Sequence, residues 1–589
     1  MDKDKIRASA KEYIRQEANP GFRAEVEQLL SQENWDELSD RFYTDIEFGT
    51  GGLRGVIAGG YNRMNSFVIR RATQGLASYV VKHGVAGPDG VLGAVIAHDS
   101  RHFSDEFALQ AALVLCAHGI RTYLFPSLRP TPELSFAVRK LGAATGIVVT
   151  ASHNPAQYNG YKVYWNDGSQ VVPPHDKGII AEVRGVSGEI LTLDRDDAMR
   201  KGLLVYVDRE IDDAFAAAVR GASLRPELIR QRGKDLKIVY TPLHGTGAVM
   251  VERVLGELGI RVLTVPEQRE PDGDFPTVEF PNPEEASALK LAVELGRREH
   301  ADIVMGTDPD ADRIGIAVPD GGDFKLITGN QLGVLLADYL FATHRELGTM
   351  PRRPAFVKTI VTTELQRLVA EKYGVECYDT LTGFKWIAEK MREFEAQKDG
   401  PTYVAGDEES YGYLLGTYVR DKDAVTAAVL TAEMALYHVS QGRSVVGRLN
   451  EIYQELGYFQ EETISHYFPG QEGKATMERL MNLLRDQPPE TLGGSAVVEV
   501  RDFQSLSARR VSDSTIRRIE GITSSNVLQF VLEGNSTVSC RPSGTEPKIK
   551  FYASVAGVPT RDLAKARADV DARVKRLSGE IKSIIATVG

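Results

Sequence analysis

A chain of 589 residues is long enough for about four domains at roughly 150 residues each, well above the size at which burying a core becomes difficult. A formal net charge of −11 and a pI near 5.6 argue against a general nucleic-acid or membrane-surface binder. Cys116, Cys377 and Cys540 form no Cys-x-x-Cys pair, no apolar run reaches the length of a membrane span, and the first residues lack the apolar core of a signal peptide. A reducing cytoplasm is the expected setting, with neither a disulfide framework nor a zinc cluster.

The first 45 residues place Ile14, Phe22, Val26, Leu29 and Leu30 at helical spacing among charges, which predicts helices. A strand over residues 93–97 and a helix over 103–117 follow, and the same alternation recurs over 237–318 and 355–404. This predicts an α/β fold with mixed or mostly parallel sheets. After residue 490 the order changes to strands over 496–500, 527–532 and 549–555 and a helix over 561–585, an α+β closing domain.

Thr150-Ala-Ser-His-Asn-Pro155 follows the apolar run 146–149, so Ser152 stands at a predicted strand end. Its flanks are not those of Gly-x-Ser-x-Gly, which weakens a hydrolase reading. On an extended backbone His153 would point to the opposite face, making it a phosphate contact rather than a base for Ser152.

Asp308, Asp310 and Asp312 alternate between two apolar flanks, a tight acidic connection that suits a hard cation. An EF-hand is excluded, because Arg313 and Pro319 occupy the positions that need Gly and Glu. Arg313 is placed to offset excess negative charge. Arg541-Pro-Ser-Gly-Thr-Glu-Pro-Lys548 reads as a loop between strands with a guanidinium fork, hydroxyls and a glycine, as a phosphate cradle requires. No Gly-Lys-Ser or Gly-Lys-Thr occurs, so it is not a Walker A loop.

In order along nearly the whole chain, Phe48-Gly-Thr-Gly-Gly-Leu-Arg-Gly55, the serine motif, Asn159-Gly-Tyr-Lys162, Tyr240-Thr-Pro-Leu-His-Gly-Thr-Gly247, the acidic turn, Thr382-Gly-Phe-Lys385, Gly406-Asp-Glu-Glu-Ser-Tyr-Gly412, Arg420-Asp-Lys-Asp423 and the final loop resemble the alpha-D-phosphohexomutases, the phosphoglucomutase and phosphomannomutase superfamily. The resemblance is close to its phosphoglucomutase-2-like branch. It implies three similar α/β domains with mixed sheets (1–205, 206–327 and 328–470) and a C-terminal α+β domain (471–589) around a central cleft. Residues 266–283, rich in proline, then lie inside the second domain rather than in a linker.

The resemblance also implies reversible transfer of phosphate between O1 and O6 of glucose through phosphorylated Ser152, Mg2+ and glucose 1,6-bisphosphate. Asp308, Asp310 and Asp312 would hold the metal with the phosphoserine, Arg313 would stabilise charge, and Lys162 would transfer a proton. Arg54, His153 and Lys422 would contact substrate, Thr382, Gly383, Glu408 and Ser410 the sugar, and Arg541, Ser543, Gly544 and Thr545 the phosphate that is not reacting. Asp407, inserted between Gly406 and Glu408, departs from the common form and leaves the register of Glu408 against Glu409 open. His244 is given no chemistry. Ribose or deoxyribose phosphates are the alternative substrates, and a silent phosphosugar-binding protein is the alternative of another class; phosphosugars are the expected partners.

Overall fold

The computed structural model describes residues 3–49, 51–468, 472–543 and 548–588. The chain divides into two compact units, one comprising Met1–Ile327 with Tyr411–Tyr437, the other Thr328–Ser410 with His438–Gly589.

The first unit opens with the predicted helices, Lys3–Gln16, Pro20–Ser31 and Trp35–Phe42. Asn19 caps the second by accepting from the amides of Gly21 (2.8 Å) and Phe22 (3.3 Å), with Pro20 in the first turn where its missing N–H costs nothing. Ile6, Ala10, Tyr13, Phe22 and Val26 are buried in the same core as Ala94, Ile96, Ile147 and Val149. Those four residues belong to the strands Gly93–His98 and Thr145–Val149, and the alternate positions Val95, Ala97 and Val148 fill a second core on the opposite face. Both strands are buried throughout, which is why they read as apolar runs rather than as alternation.

The first sheet has the order Gly52–Val56, Tyr158–Trp165, Thr145–Val149, Gly93–His98, Arg121–Leu124, Leu204–Tyr206. The last four strands run parallel, and Tyr158–Trp165 is antiparallel to both neighbours. Leu204–Tyr206 carries this sheet just past residue 205. The second sheet has the order Asp323–Ile327, Ile314–Asp320, Ile303–Thr307, Lys237–Thr241, Arg261–Thr264. Its strands Ile303–Thr307 and Ile314–Asp320 are antiparallel, with Thr307 opposite Ile314, so the acidic segment is the connection between them.

Residues 411–437 lie in the predicted third domain by sequence position, yet they fold with the first unit. Ile314 donates its amide to the Tyr411 carbonyl (3.1 Å), Ala424 to Ala311 (3.2 Å) and Arg420 to Ser135 Oγ (2.8 Å). Glu433 accepts from the amides of Leu224 (3.1 Å) and Arg225 (3.0 Å).

In the second unit, Pro354–Thr359 runs parallel to Glu376–Thr380 and Thr402–Glu408. The C-terminal part is an antiparallel sheet that includes Phe459–Tyr467, Lys548–Ala556, Ser536–Pro542, Leu528–Leu532 and Ser495–Asp502 in that order. Its core is shared with the helices Gly473–Asp486 and Leu563–Ala586, the expected α+β arrangement. Among the described residues no helix is long and apolar enough to cross a membrane.

Gly160 fixes how closely the strand Tyr158–Trp165 approaches the serine loop. A Cβ there would stand 2.4 Å from the Thr150 carbonyl oxygen and 3.0 Å from that of Leu53, both backbone atoms. Gly160→Ala is expected to cost about 1–3 kcal/mol, read from denaturant midpoints, because neither neighbour can move without breaking sheet pairing.

Candidate active site

The strand Thr145–Val149 ends one residue before Thr150, and Ser152 then takes a left-handed backbone, φ 53°, with its side chain buried. Ser152 Oγ donates to Asp308 Oδ2 at 2.6 Å and lies 3.1 Å from His153 Nδ1. The second contact corrects the sequence expectation. Opposite faces hold only for extended backbone, and the positive φ brings the two neighbouring side chains together. Burial, reinforced by the nearby Arg313 and Arg54 cations, holds the His153 ring down to about 2, so the imidazole is neutral.

Asp308, Asp310 and Asp312 are fully buried and offer one carboxylate oxygen each within 4.8 Å of the others. At such separations each pair of charges repels by roughly 3–4 kcal/mol at an effective dielectric of 20. Some relief is local: Asp308 Oδ1 accepts from the amides of Asp312 (3.1 Å) and Arg313 (3.0 Å), and the turn passes through left-handed Ala311, φ 51°. The rest comes from other segments. Lys162 Nζ donates to Asp310 Oδ2 (2.7 Å) and Asp312 Oδ2 (3.2 Å), and Lys422 Nζ lies 3.1 Å from Asp312 Oδ2. Thr131 donates its hydroxyl to Asp310 Oδ2 (2.9 Å) and its amide to the Asp310 carbonyl (2.8 Å).

These partners divide the acids. Burial, then Asp310 and Asp312, push the Asp308 carboxyl well above its ordinary range. Burial acts the same way on Asp312, but Lys422, Lys162 and Arg313 outweigh it and hold that carboxyl down. Burial would lower Lys162, yet Asp310 and Asp312 prevail and raise it, keeping it a cation.

Asp310 Oδ1 and Asp312 Oδ1 are buried with no hydrogen-bond partner among the described residues. Orphaned hard oxygens on converging carboxylates fit a hard divalent cation such as Mg2+. Arg313, which follows the turn, pairs with Glu284 at 2.6 Å and lies 3.9 Å from Asp312. Arg54, on the strand Gly52–Val56, reaches Asn154 Oδ1 at 3.4 Å. Lys162 is cross-strand from Gly52, where a Cβ would fall 1.8 Å from the Tyr161 carbonyl oxygen. Gly245 packs on Pro309 with similar closeness, since a Cβ there would stand 2.3 Å from Pro309 Cα, and His244 is spent on Glu270 O (3.3 Å) and Thr277 Oγ1 (2.9 Å). Both glycine motifs therefore serve to bring backbone against the site.

The second unit holds the remaining predicted residues. Glu408 Oε1 accepts from the Gly383 amide at 2.7 Å, so the Thr382–Gly383 turn and the Glu408–Ser410 loop are joined. Glu409 turns away, accepting from Thr362 Oγ1 (3.1 Å) and Thr359 Oγ1 (3.2 Å), while Asp407 is buried against Gln366 Nε2 (2.5 Å). Glu408 thus meets the Gly383 turn, and Glu409 anchors the loop. Arg541 is the penultimate residue of the strand Ser536–Pro542, and the Ser543 amide donates to the Lys548 carbonyl at 2.7 Å. Gly544 and Thr545 lie outside the described residues. Burial, then Glu409, push the Tyr552 hydroxyl up to about 12, with Arg541 acting in the opposite sense, so Tyr552 stands near both loops.

Thr131, Asp421 and Tyr552 were not anticipated. Asp421 accepts from Tyr164 Oη (2.6 Å) and Gln170 Nε2 (2.9 Å) and lies 3.6 Å from Lys422 Nζ, holding that lysine toward Asp312. Asp421 sits inside the Arg420-Asp-Lys-Asp423 motif, which was a usable signal; Thr131 and Tyr552 have none in the sequence.

Two outcomes follow from these charges. Mg2+ is expected to raise the melting temperature by about 5 °C over metal-chelated protein, and Asp308→Asn to remove that response in a thermal-shift titration. Burial, then Glu408, raise Glu409 from 4.5 to about 7. The stability of its neutral form is full below pH 4.5 and lost as pH rises through 7, so Glu409→Gln should gain on the unaltered protein by about 3 kcal/mol between pH 4.5 and pH 8 in urea unfolding.

Three family models match the chain, described as phosphoglucomutase/phosphomannomutase alpha/beta/alpha domains I (residues 45–188), II (213–322) and III (328–456). The chain is 35% identical over 582 residues to a protein of Schizosaccharomyces pombe named a probable phosphoribomutase, covering 96% of each. It is 36% identical over 544 residues to a phosphoglucomutase of Staphylococcus aureus (92% of this chain, 95% of the other). In fold it is similar to parafusin, a phosphoglucomutase of Paramecium in open form, with a TM-score of 0.70 at 17% identity over 92% of this chain and 96% of that one.

Proposed function

Because the chain belongs to the phosphoglucomutase/phosphomannomutase family, and so is an isomerase-class intramolecular phosphotransferase, we propose that it is a phosphoglucomutase interconverting glucose 1-phosphate and glucose 6-phosphate through phosphorylated Ser152 and glucose 1,6-bisphosphate. The observation that carries this reading is the 2.6 Å hydrogen bond from Ser152 Oγ to the buried Asp308, one of three converging carboxylates.

In the forward half-reaction the Ser152 Oγ–P bond breaks as the O–P bond to the free hydroxyl of the bound monophosphate forms; Ser152 Oγ takes a proton from Lys162, and Lys162 recovers one from that hydroxyl. After the bisphosphate turns, its other phosphoryl group returns to Ser152 Oγ as that sugar O–P bond breaks, and the serine proton passes by the same route to the sugar oxygen. Bound by Asp308, Asp310 and Asp312, Mg2+ would neutralise charge on the transferring group. Lys162, kept as an ammonium by its two aspartates, is suited to donate a proton to the departing oxygen. Arg313, Arg54, Lys422 and the neutral His153 orient the phosphate, work that in phosphoryl transfer is mostly positioning and charge stabilisation. Glu408 and Ser410, with Thr382 and Gly383, recognise the sugar hydroxyls, and Arg541, Ser543, Gly544 and Thr545 grip the phosphate that is not reacting. The reading includes four domains, 1–205, 206–327, 328–470 and 471–589, and a cytoplasmic setting.

A second substrate is favoured by one observation: the relative named a probable phosphoribomutase matches this chain across 96% of its length. Ribose 1-phosphate is therefore tested beside glucose 1-phosphate, with the matching bisphosphate present, and a higher kcat/KM on the pentose would replace glucose as substrate. Mass spectrometry should find phosphate on Ser152, and Ser152→Ala should lose about a thousandfold or more in kcat. Full turnover by that variant would overturn the carrier role, and a wild-type protein with no turnover on either sugar would favour a non-catalytic phosphosugar-binding protein.

A further inference from the structure

The serine loop is gripped by a turn that no sequence motif singled out. The turn Asp99–Arg101 follows the strand Gly93–His98, beside the strand that ends at the serine loop, and the Asp99 amide donates to the Val149 carbonyl at 3.1 Å. The Arg101 side chain has no exposed surface. Its Nη2 donates to the Ser152 carbonyl at 2.5 Å and to that of Asn154, and its Nη1 donates to Pro155 (2.8 Å) and Tyr158 (3.0 Å) carbonyls. One guanidinium thus satisfies four carbonyls of a single loop, which the separate donors of a planar fork allow and a lysine ammonium does not.

The other end of Ser152 is held within the loop itself, its amide donating to Thr150 Oγ1 at 2.8 Å. Asp99 accepts from the Arg101 amide (2.9 Å) and Ser104 Oγ (2.8 Å) and pairs with Arg101 Nε at 3.3 Å. The Ser152 carbonyl is thus held by Arg101, itself braced by Asp99, and the Ser152 amide by Thr150. A left-handed serine costs on the order of 1–2 kcal/mol and persists only where its surroundings over-determine it.

The outer face of the guanidinium is covered. Phe275 places its ring centroid 4.9 Å from the Arg101 Cζ, and Gly273 comes so close that a Cβ would stand 2.8 Å from the His102 amide nitrogen. The proline-rich segment 266–283, which resembled a linker, is what shuts water out of the clamp.

We propose that Asp99 and Arg101 are positioning residues for phosphoryl transfer, Arg101 gripping the Ser152 carbonyl while Thr150 holds the Ser152 amide, in the left-handed turn that aims its Oγ at the aspartate cluster. The proposal rests on the reading of Ser152 as the phosphate carrier. Neither residue touches the substrate in this role, so the loss falls on kcat and not on KM.

The test compares wild type, Arg101→Lys, Arg101→Ala and Thr150→Val in steady-state turnover of glucose 1-phosphate, with kcat expressed per folded chain and phosphate on Ser152 measured in each. Arg101→Lys is expected to lower kcat ten- to a hundredfold and Thr150→Val about tenfold, with KM changed less than threefold. Added guanidinium should restore at least tenfold of the kcat lost by Arg101→Ala, a rescue that a purely structural role in folding would not give. Should Arg101→Ala fail to fold, the lysine and Thr150 variants decide. Arg101→Lys and Thr150→Val with Ser152 phosphorylated and kcat within twofold of wild type would overturn the clamp alone. Wild-type protein that turns over without phosphate on Ser152 would overturn the carrier reading and the proposal with it.

Discussion

Three carboxylates confined to one buried turn are the constraint on which the rest of the first unit depends. Asp308, Asp310 and Asp312 sit within 4.8 Å of one another with almost no exposed surface, and their repulsion has to be met by charge brought from elsewhere in the chain. Lys162 comes from the strand Tyr158–Trp165 and Lys422 from residues 411–437. That requirement accounts for a feature that chain order hides: residues 411–437 leave the sequence neighbourhood of the third domain to fold with the first unit. Glycines make the approach possible, since side chains at Gly52 and Gly245 would collide with the backbone of Tyr161 and Pro309.

The charge balance also pushes the two outer acids apart. Asp308 faces the serine hydroxyl with its carboxyl raised, whereas Asp312 faces two lysines and is lowered, so two acids four residues apart behave oppositely. His153, crowded by cations and burial, stays neutral beside Ser152 and can meet a phosphate oxygen or hydroxyl without adding charge. In the second unit the same logic sorts adjacent glutamates. Glu408 takes the Gly383 amide, and Glu409 is anchored by the hydroxyls of Thr359 and Thr362 with its carboxyl raised by burial.

Much of this was legible in advance. The N-terminal helices, the strand before Ser152, the strands flanking the acidic turn and the α+β character of the C-terminal part all follow from apolar spacing, because burial on one or both faces writes itself into the sequence. The acidic triplet was legible as a candidate cation site because its members are near neighbours. The orientation of His153 was not, since a single left-handed residue reverses the geometry that extended backbone implies. Thr131 and Tyr552 were also beyond reach, being ordinary residues whose importance comes only from what they touch.

Residue types and their local spacing were enough to set the chemistry available: the order of the motifs, the hard-oxygen cluster, the candidate serine and the residues able to bind phosphate. Folding in three dimensions was needed to select which lysines answer which aspartates, which glutamate meets the Gly383 turn, and how Arg101 closes on the carbonyls of the serine loop. Such pairings join residues tens to hundreds of positions apart, and they are selected by the cost of leaving a buried charge or a strained backbone without support, a cost that exists only once the chain is folded.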